Sequence, residues 1–485
     1  MNSRHESLPS STLALSDGGT APHTGTGEPG TRHAFTYAVR PGDAAEDLSV
    51  VRFDPGTATL RDAAGNDADL SGAAGVNPAG TLVVDTAVPE APAARGFGAR
   101  PGTDDHVVRG TAEAGSTVEV FDGAVSLGAA TAGADRGWSL VLPGGLAAGT
   151  HALTATATDA AENPSAASSG LPVTVAGEPP AGAEPAPASF ASGARGVEVT
   201  RTEAGDLVVS RDGVAEVLRG VDELRFIDGR LVFDRDDTAS RVARLYRAGF
   251  GRDVDQGGLD HWTGAIEGGA SPSGVARSFL DSPEGQSFYG AASSDAEFVD
   301  RLYRDALGRE GDAGGRTFWT ERLGEGASRA DVLAAVADGA ENEAATAAAN
   351  PGGLWDLDEG VAQVARLYDA VLGRLPDAGG LAFWAEALDG GRIDLRDMAG
   401  QFLASAEYRT VYGPLSDADF VWVVYRNALD RPGDAGGVGH WMAGLDAGLS
   451  RAAMVVSFSE SPEHVALTAP DMLGGAPGQF GILLA

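Results

Sequence analysis

Between residues 33 and 235 apolar positions alternate with polar ones in short runs, and past that point they change to a helical period. Phe35, Tyr37 and Val39 alternate, followed by Leu48, Val50 and Val51, Thr57 to Leu60, and Leu82 to Val84. Residues 88–176 continue in the same style, with Val107–Val108, Val118–Val120, Trp138–Leu142, His151–Thr158 and Val173–Val175. Gly, Pro, Asn and Asp separate these runs, which predicts short strands joined by turns. The two stretches share a landmark: Asp62-Ala-Ala-Gly65-Asn66 answers to Asp159-Ala-Ala-Glu162-Asn163, 97 residues on. A period near 100 residues with many short strands is what tandem β-sandwiches give. Each Asp/Asn cluster is expected to make a turn through side chain to backbone hydrogen bonds. The fold class is therefore multidomain, with all-β sandwiches first: a partial one over 33–87 and a fuller one over 88–176. Residues 1–32 are too poor in apolar side chains to offset chain entropy and read as disordered.

Residues 177–188 form a Pro-rich linker, extended and semi-rigid. Residues 189–236 return to strands, with Asp212-Gly213 and Asp228-Gly229 between apolar runs. Asp-Gly signals a tight hairpin because both turn positions favour positive φ. A short β-meander is expected here.

Past residue 237 the chain reads as all-α. Val242, Leu245, Tyr246 and Phe250 share one helical face. A phrase then recurs four times. It starts at Arg244-Leu-Tyr246, Arg301-Leu-Tyr303, Arg366-Leu-Tyr368 and Val424-Tyr425. It runs through Arg252/Asp255, Arg309/Asp312, Arg374/Asp377 and Arg431/Asp434 to a Gly-Gly pair, and ends at Trp262, Trp319, Trp384 and Trp441. Tyr246 and Tyr368 stand 122 residues apart, as do Tyr303 and Tyr425, so the true repeat is a pair. Two helical repeat domains of two half-repeats each are expected, over 237–345 and 346–467. Beyond each Trp comes a second landmark: Ser282-Pro283-Glu284, Asp338-Gly-Ala-Glu341, Ser405-Ala-Glu407 and Ser461-Pro462-Glu463. Ser, Pro and Glu in this order begin a helix: Ser caps, Pro is tolerated in the first turn, and Glu meets the positive dipole end.

Two resemblances rest on these residues. The run Val107-Val-Arg-Gly-Thr to Val118-Glu-Val120, with Gly137-Trp138-Ser139 and Gly149 to Asp159, resembles the bacterial immunoglobulin-like repeats of large surface adhesins. The fourfold phrase, with Arg366 to Trp384 as its clearest copy, is similar to the bacterial "domain of unknown function 4214" family. That resemblance implies a secreted or surface protein, often exported by type I systems beside calcium-binding nonapeptide repeats. It supplies no chemistry, because the family's activity is unknown, and nonapeptide repeats are lacking here. The segment Leu218 to Gly229 looks like what commonly precedes such domains. The tail, 468–485, ends Phe480-Gly-Ile482-Leu483-Leu484-Ala485; it resembles a type I secretion signal or, equally, a segment packed on the last domain.

The chain has 485 residues, 69 acids against 35 bases and a net charge of −34. All the bases are Arg. A phosphate backbone would be repelled, so no nucleic-acid partner is expected. No stretch approaches the length that spans a bilayer. Cys is absent, which removes disulfides, thiolate metal sites and Cys nucleophiles together. No basic start followed by an apolar run is present, so export independent of a signal peptide, or a truncated start, is expected.

The candidate site is the set of four loops. Arg252, Asp255, Arg309, Asp312, Arg374, Asp377, Arg431 and Asp434 could hold a metal or a sugar. The preferred reading is structural: Asp caps the Trp helix, Arg bridges back across the turn, and the glycines permit close packing. The Trp residues are expected in the core, and His261 and His440, which replace Phe318 and Phe383, are expected to pack. Asp253-Val-Asp255 lacks the downstream Glu of a calcium loop. Gly25 to Gly30 matches a dinucleotide-binding string by chance, without its strand and helix. No catalytic residue, metal site or cofactor is expected; calcium has no specific motif. The expected function is a non-enzymatic, extracellular or cell-surface protein in which sandwich spacers present a module for adhesion to an unidentified protein or glycan. The alternatives are a carbohydrate-binding accessory part of an extracellular enzyme and a structural surface-layer component.

Overall fold

The computed structural model describes residues 10–26, 33–58, 66–67, 69–70, 72, 75–77, 79–290, 294–473 and 480–485. The chain divides into two compact units, one of residues up to 97 with 107–143 and 150–173, the other of 98–106, 144–149 and 174–485. Positions 59–60, 62–65 of the first Asp/Asn landmark and 27–30 of the Gly25 string lie outside the described residues, as do 1–9, 31–32 and 474–479.

The N-terminal strands are β1 (Thr12–Leu15), β2 (Thr20–Thr26), β3 (His33–Phe35), β4 (Ala44–Ala45), β5 (Val50–Asp54) and β6 (Val84–Asp85). Four of them form a sheet in the order β3-β2-β1-β5. This corrects the reading of residues 1–32 as disordered, because 12–26 form two of its strands. The segment is apolar-poor by itself, yet Leu15 and Ala21 are buried with Leu48 and Val84, and Leu13, Phe35 and Tyr37 pack around them. Partners supplied from later in the chain offset the entropy that local composition could not. The Tyr37 hydroxyl lies against the carboxylates of both Asp17 and Asp43 and can donate its proton to one of them, which ties the first hairpin to the following loop.

The next strands are β7 (Ala93–Ala99), β8 (His106–Thr111), β9 (Thr117–Asp122), β10 (Val125–Thr131), β11 (Gly137–Leu142), β12 (Gly149–Thr158) and β13 (Leu171–Val175). They run β10-β9-β12-β13 in one sheet and β11-β8-β7 in another. Alternation decides the inner face: Leu153, Ala155 and Ala157 are buried, while the threonines between them are not. Trp138 is buried, and a Cβ on Gly110 would lie 2.6 Å from its ring, so that position needs glycine. The Asp159 carboxylate accepts from the amides of Ala161 and Asn163, both at 2.9 Å, and so forms the expected turn.

The meander comprises β14 (Ala188–Ser189), β15 (Glu198–Arg201), β16 (Leu207–Arg211), β17 (Val214–Leu218), β18 (Glu223–Phe226) and β19 (Gly229–Val232). Asp212 and Gly213 take φ of 50° and 76° in a two-residue turn, as their sequence predicts. The second Asp-Gly behaves differently. Phe226 pairs with Gly229, so the turn is Ile227-Asp228 and the glycine already belongs to β19. The Asp228 side chain is drawn inward, fully buried, and accepts from the Ala194 amide at 2.8 Å and the Ile482 amide at 2.7 Å. The Pro-rich segment lies along this sheet, with Glu178 paired to Arg219 at 2.9 Å and the Ala186 amide bonded to Gly220.

Sixteen helices follow among the described residues, four to each half-repeat. The first domain has α1 (Thr238–Phe250), α2 (Gln256–Glu267), α3 (Pro272–Asp281), α4 (Pro283–Tyr289), α5 (Asp295–Leu307), α6 (Ala313–Gly324), α7 (Arg329–Ala337) and α8 (Ala340–Ala349). The second has α9 (Glu359–Leu372), α10 (Ala378–Asp389), α11 (Leu395–Leu403), α12 (Ala406–Tyr412), α13 (Asp417–Leu429), α14 (Ala435–Asp446), α15 (Arg451–Ser459) and α16 (Pro462–Leu473). The long helices α1, α5, α9 and α13 each turn an apolar face into the core. One core serves α1 to α7; a second is shared by α9 to α16, the meander and the tail. A strand interrupts the helical region: β20 (Leu354–Leu357) pairs antiparallel with β19 and buries Trp355 and Leu357. Four residues are too few for periodicity to separate strand from helix, so the sequence pattern does not mark it. In the tail, Ile482 is buried, and Phe480 stacks on Trp355 at 6.0 Å.

Candidate functional site

Each half-repeat builds the same corner from its own residues. The long helix ends in a left-handed cap at Gly251, Gly308, Gly373 or Asp430. The next residue is the repeated Arg, and three residues later the repeated Asp opens the Trp helix. That Asp is an N-cap in all four copies: Asp255, Asp312, Asp377 and Asp434 accept from the amides of Gly258, Gly315, Gly380 and Gly437 at 2.8–2.9 Å.

The guanidinium bridges its own turn, as the sequence suggests, by donating to the next residue's carbonyl at 3.1 Å from Arg252 and Arg309 and 2.8 Å from Arg374, and it also reaches further. Its common partner is the Glu of the second landmark, 32 or 33 residues further on. Arg252 grips Glu284 with two parallel bonds of 2.9 and 3.1 Å. Arg309 holds Glu341 at 2.5 and 2.7 Å, Arg374 holds Glu407 at 2.5 and 3.0 Å, and Arg431 holds Glu463 at 2.7 and 2.9 Å. The Asp is a lesser partner, 3.2 Å from Arg252 and 3.8 Å from Arg309. Bidentate pairing fixes the angle between the end of the long helix and the start of the fourth one. Each Arg lowers the affinity of its Glu for a proton, so these carboxyls sit below the usual range.

Beneath each guanidinium lies the repeated Tyr. The Arg carbon stands 5.0, 5.0, 5.1 and 5.7 Å from the rings of Tyr246, Tyr303, Tyr368 and Tyr425, within cation–π range. The Tyr hydroxyl in turn explains the second glycine of each pair. A Cβ on Gly258, Gly315, Gly380 or Gly437 would lie 2.2, 2.0, 2.3 or 2.1 Å from it. Burial pushes the Tyr246 and Tyr368 phenols up, Asp255 and Asp377 add to this, and hydrogen bonds to Trp262 and Trp384 oppose it. The four-part corner thus links a cap, an ion pair, an aromatic ring and a close backbone approach.

The Trp residues are half-buried and pack on the cores, with Trp262, Trp384 and Trp441 5.3, 5.2 and 5.0 Å from Phe279, Phe402 and Phe458. The preceding position departs from the sequence reading. His261, Phe318, Phe383 and His440 are exposed, Phe383 at 63%, and each meets its neighbouring Trp edge-on. They line the solvent side of the helix because i and i+1 point about 100° apart, and the Trp takes the inner direction. Among the described residues no three His, Asp or Glu side chains converge as metal ligands. No described helix is long and apolar enough to cross a membrane.

Repetition in the sequence marks the Arg and Asp, whereas the Glu stands out there only as a helix-start residue. The signal that identifies it as the partner is its near-constant spacing from the Arg, which matches a contact between fixed points of one repeat.

Comparison with protein families adds two findings. The profile described as "Domain of unknown function (DUF4214)" matches residues 236–284, 276–346 and 399–468. The profile described as "Bacterial Ig-like domain" matches residues 105–176. The search of curated proteins found no match. The chain therefore carries a bacterial Ig-like domain and, in its C-terminal half, three matched repeats of this domain of unknown function.

Proposed function

We propose that this is a non-enzymatic protein of the bacterial surface or exterior, in which the β domains carry a helical repeat module that engages a protein or glycan. Bacterial Ig-like domains are typical of surface proteins, which supports the location. The observation that carries the non-enzymatic part is the fourfold corner. The most regular polar side chains of the chain are the Arg–Glu pairs and the capping Asp, and all of them are engaged in holding helices. Four equivalent corners serving four half-repeats fit architecture better than one reaction. Export by a type I system belongs to the same reading.

The test has two parts. Antibody against the purified chain is applied to intact and to lysed producing cells, and the labelled chain is applied to a printed glycan array and a panel of matrix proteins. Labelling of intact cells with saturable binding to one class of probe is expected. Confinement to the cytosol overturns the location, and turnover of a bound glycan or protein overturns the non-enzymatic reading.

A further inference from the structure

The chain passes between the meander and the first helical domain twice, and both passages lie at one end of a strand pair. It leaves β19 at Val232 to enter α1, and it returns after α8 into β20 at Leu354. Val232 and Leu354 face each other in the antiparallel register, with Gly229 and Leu357 opposite each other at the far end. Side chains of β20 divide between the two cores: Leu354 packs with the first, Trp355 and Leu357 with the second. Arg230 of β19 holds Asp356 at 2.9 Å and the α1 cap Asp237 at 2.9 Å, but Asp237 belongs to the first passage itself. By themselves, two tethers at one end allow the first domain to turn about them.

A further tie sits along β20. Gln256, the first residue of α2, donates through Nε2 to the Trp355 carbonyl at 2.8 Å and accepts at Oε1 from the Leu357 amide at 2.9 Å. A carbonyl only accepts and a backbone N–H only donates, so both ends of the side-chain amide are fixed by their partners. Bonds to the carbonyl of one residue and the amide two places on are those that a residue of a parallel strand makes with its neighbour. The side chain thus occupies one edge of β20 while β19 pairs with the other. In the other three half-repeats this position is Ala313, Ala378 and Ala435, whose side chains neither donate nor accept. The glutamine is confined to the copy that lies against β20.

We infer that Gln256 is a latch: by gripping β20 away from the two passages, it holds the two helical domains in one orientation, so that the repeat module is a single rigid body and not a jointed pair. This goes beyond the proposed role and holds for either class of ligand. A fixed orientation sets the spacing at which surfaces of the two domains can meet one partner, and that spacing decides whether a second contact adds to the first.

The experiment uses the full chain. Cys is absent, so two can be introduced at exposed positions, Glu321→Cys on α6 and Ala443→Cys on α14, to carry nitroxide labels. Pulsed electron resonance on the labelled chain is expected to give one narrow distance distribution. Gln256→Ala, which installs the residue of the other three copies, is expected to broaden it while helix content by circular dichroism stays the same. Gln256→Met keeps the length and loses both bonds; it is expected to broaden the distribution equally, and it decides the matter should the alanine variant lose helix. Hydrogen exchange gives a second reading. In both variants the Leu357 amide should exchange about tenfold faster, whereas the Gly380 amide, held by Asp377, keeps its rate. A broad distribution without the Gln256 substitution, a narrow one in a folded variant, or an unchanged rate at Leu357 overturns the inference.

Discussion

Two neighbouring glycines of one helix should respond to the same substitution with opposite sign. Gly379 and Gly380 both lie in the first turn of α10, capped by Asp377. A Cβ on Gly379 meets nothing nearer than 3.5 Å, so Gly379→Ala should gain about 0.5 kcal/mol from reduced backbone entropy. A Cβ on Gly380 would lie 2.3 Å from the Tyr368 hydroxyl and 3.3 Å from its Cζ. Tyr368 is 5% exposed, lies edge-on to Phe402 at 4.7 Å and is covered by Arg374, so it cannot simply swing away. Gly380→Ala should therefore cost about 1–3 kcal/mol, the usual range for overpacking. The difference between the two variants is read from urea unfolding followed by Trp fluorescence. Tyr368→Phe provides the control: removing the hydroxyl should recover most of the Gly380→Ala loss, a coupling of about 1 kcal/mol or more. Equal effects of the two alanines, or a loss at Gly380 that persists undiminished in the Tyr368→Phe background, would refute this account of the glycine pair.

Three further outcomes follow from the same packing. Trp384→Ala empties a half-buried site against Phe402 and should destabilise the second helical domain by about 3 kcal/mol, measured by chemical denaturation. Asp228→Ala leaves the Ala194 and Ile482 amides without their acceptor, which should cost about 1–3 kcal/mol and speed hydrogen exchange at Ile482 selectively. The carboxyls of Glu284, Glu341, Glu407 and Glu463 are held below their ordinary value near 4.3, so their contribution is present above that pH and lost as pH falls through the depressed values. Acid unfolding of the helical half should accordingly shift in Glu407→Gln, and added salt should shrink the difference because the pairs are half-exposed.

Long-period signals were legible in the sequence, and single-residue geometry was not. The four helical half-repeats, their caps and the Ig-like strands announce themselves because each rests on many positions in register, as in Leu153, Ala155 and Ala157. The strand at Leu354–Leu357 is too short to carry a period, and it forms only because β19 offers an edge to it. Asp228 has the composition of a turn, but a carboxylate that can reach two buried amides moves inward and displaces the turn by one residue. In the candidate corner, the Arg and Asp stand out by repetition. The link from Arg374 to Glu407 spans two intervening helices, so no local rule points to it. The apolar face signals that each Trp packs against the core, yet all four stay half-buried there, and the adjacent Phe383 shows that an aromatic residue in a repeat need not be inside.

The claim that the repeated polar residues serve architecture is tested most directly by a double-mutant cycle on Arg374 and Glu407, using Arg374→Gln and Glu407→Gln in the full chain. Urea unfolding of the second helical domain should show a coupling of about 0.5–1 kcal/mol, in the range of a half-exposed bidentate pair. No measurable coupling, with both single variants as stable as the parent, would contradict it.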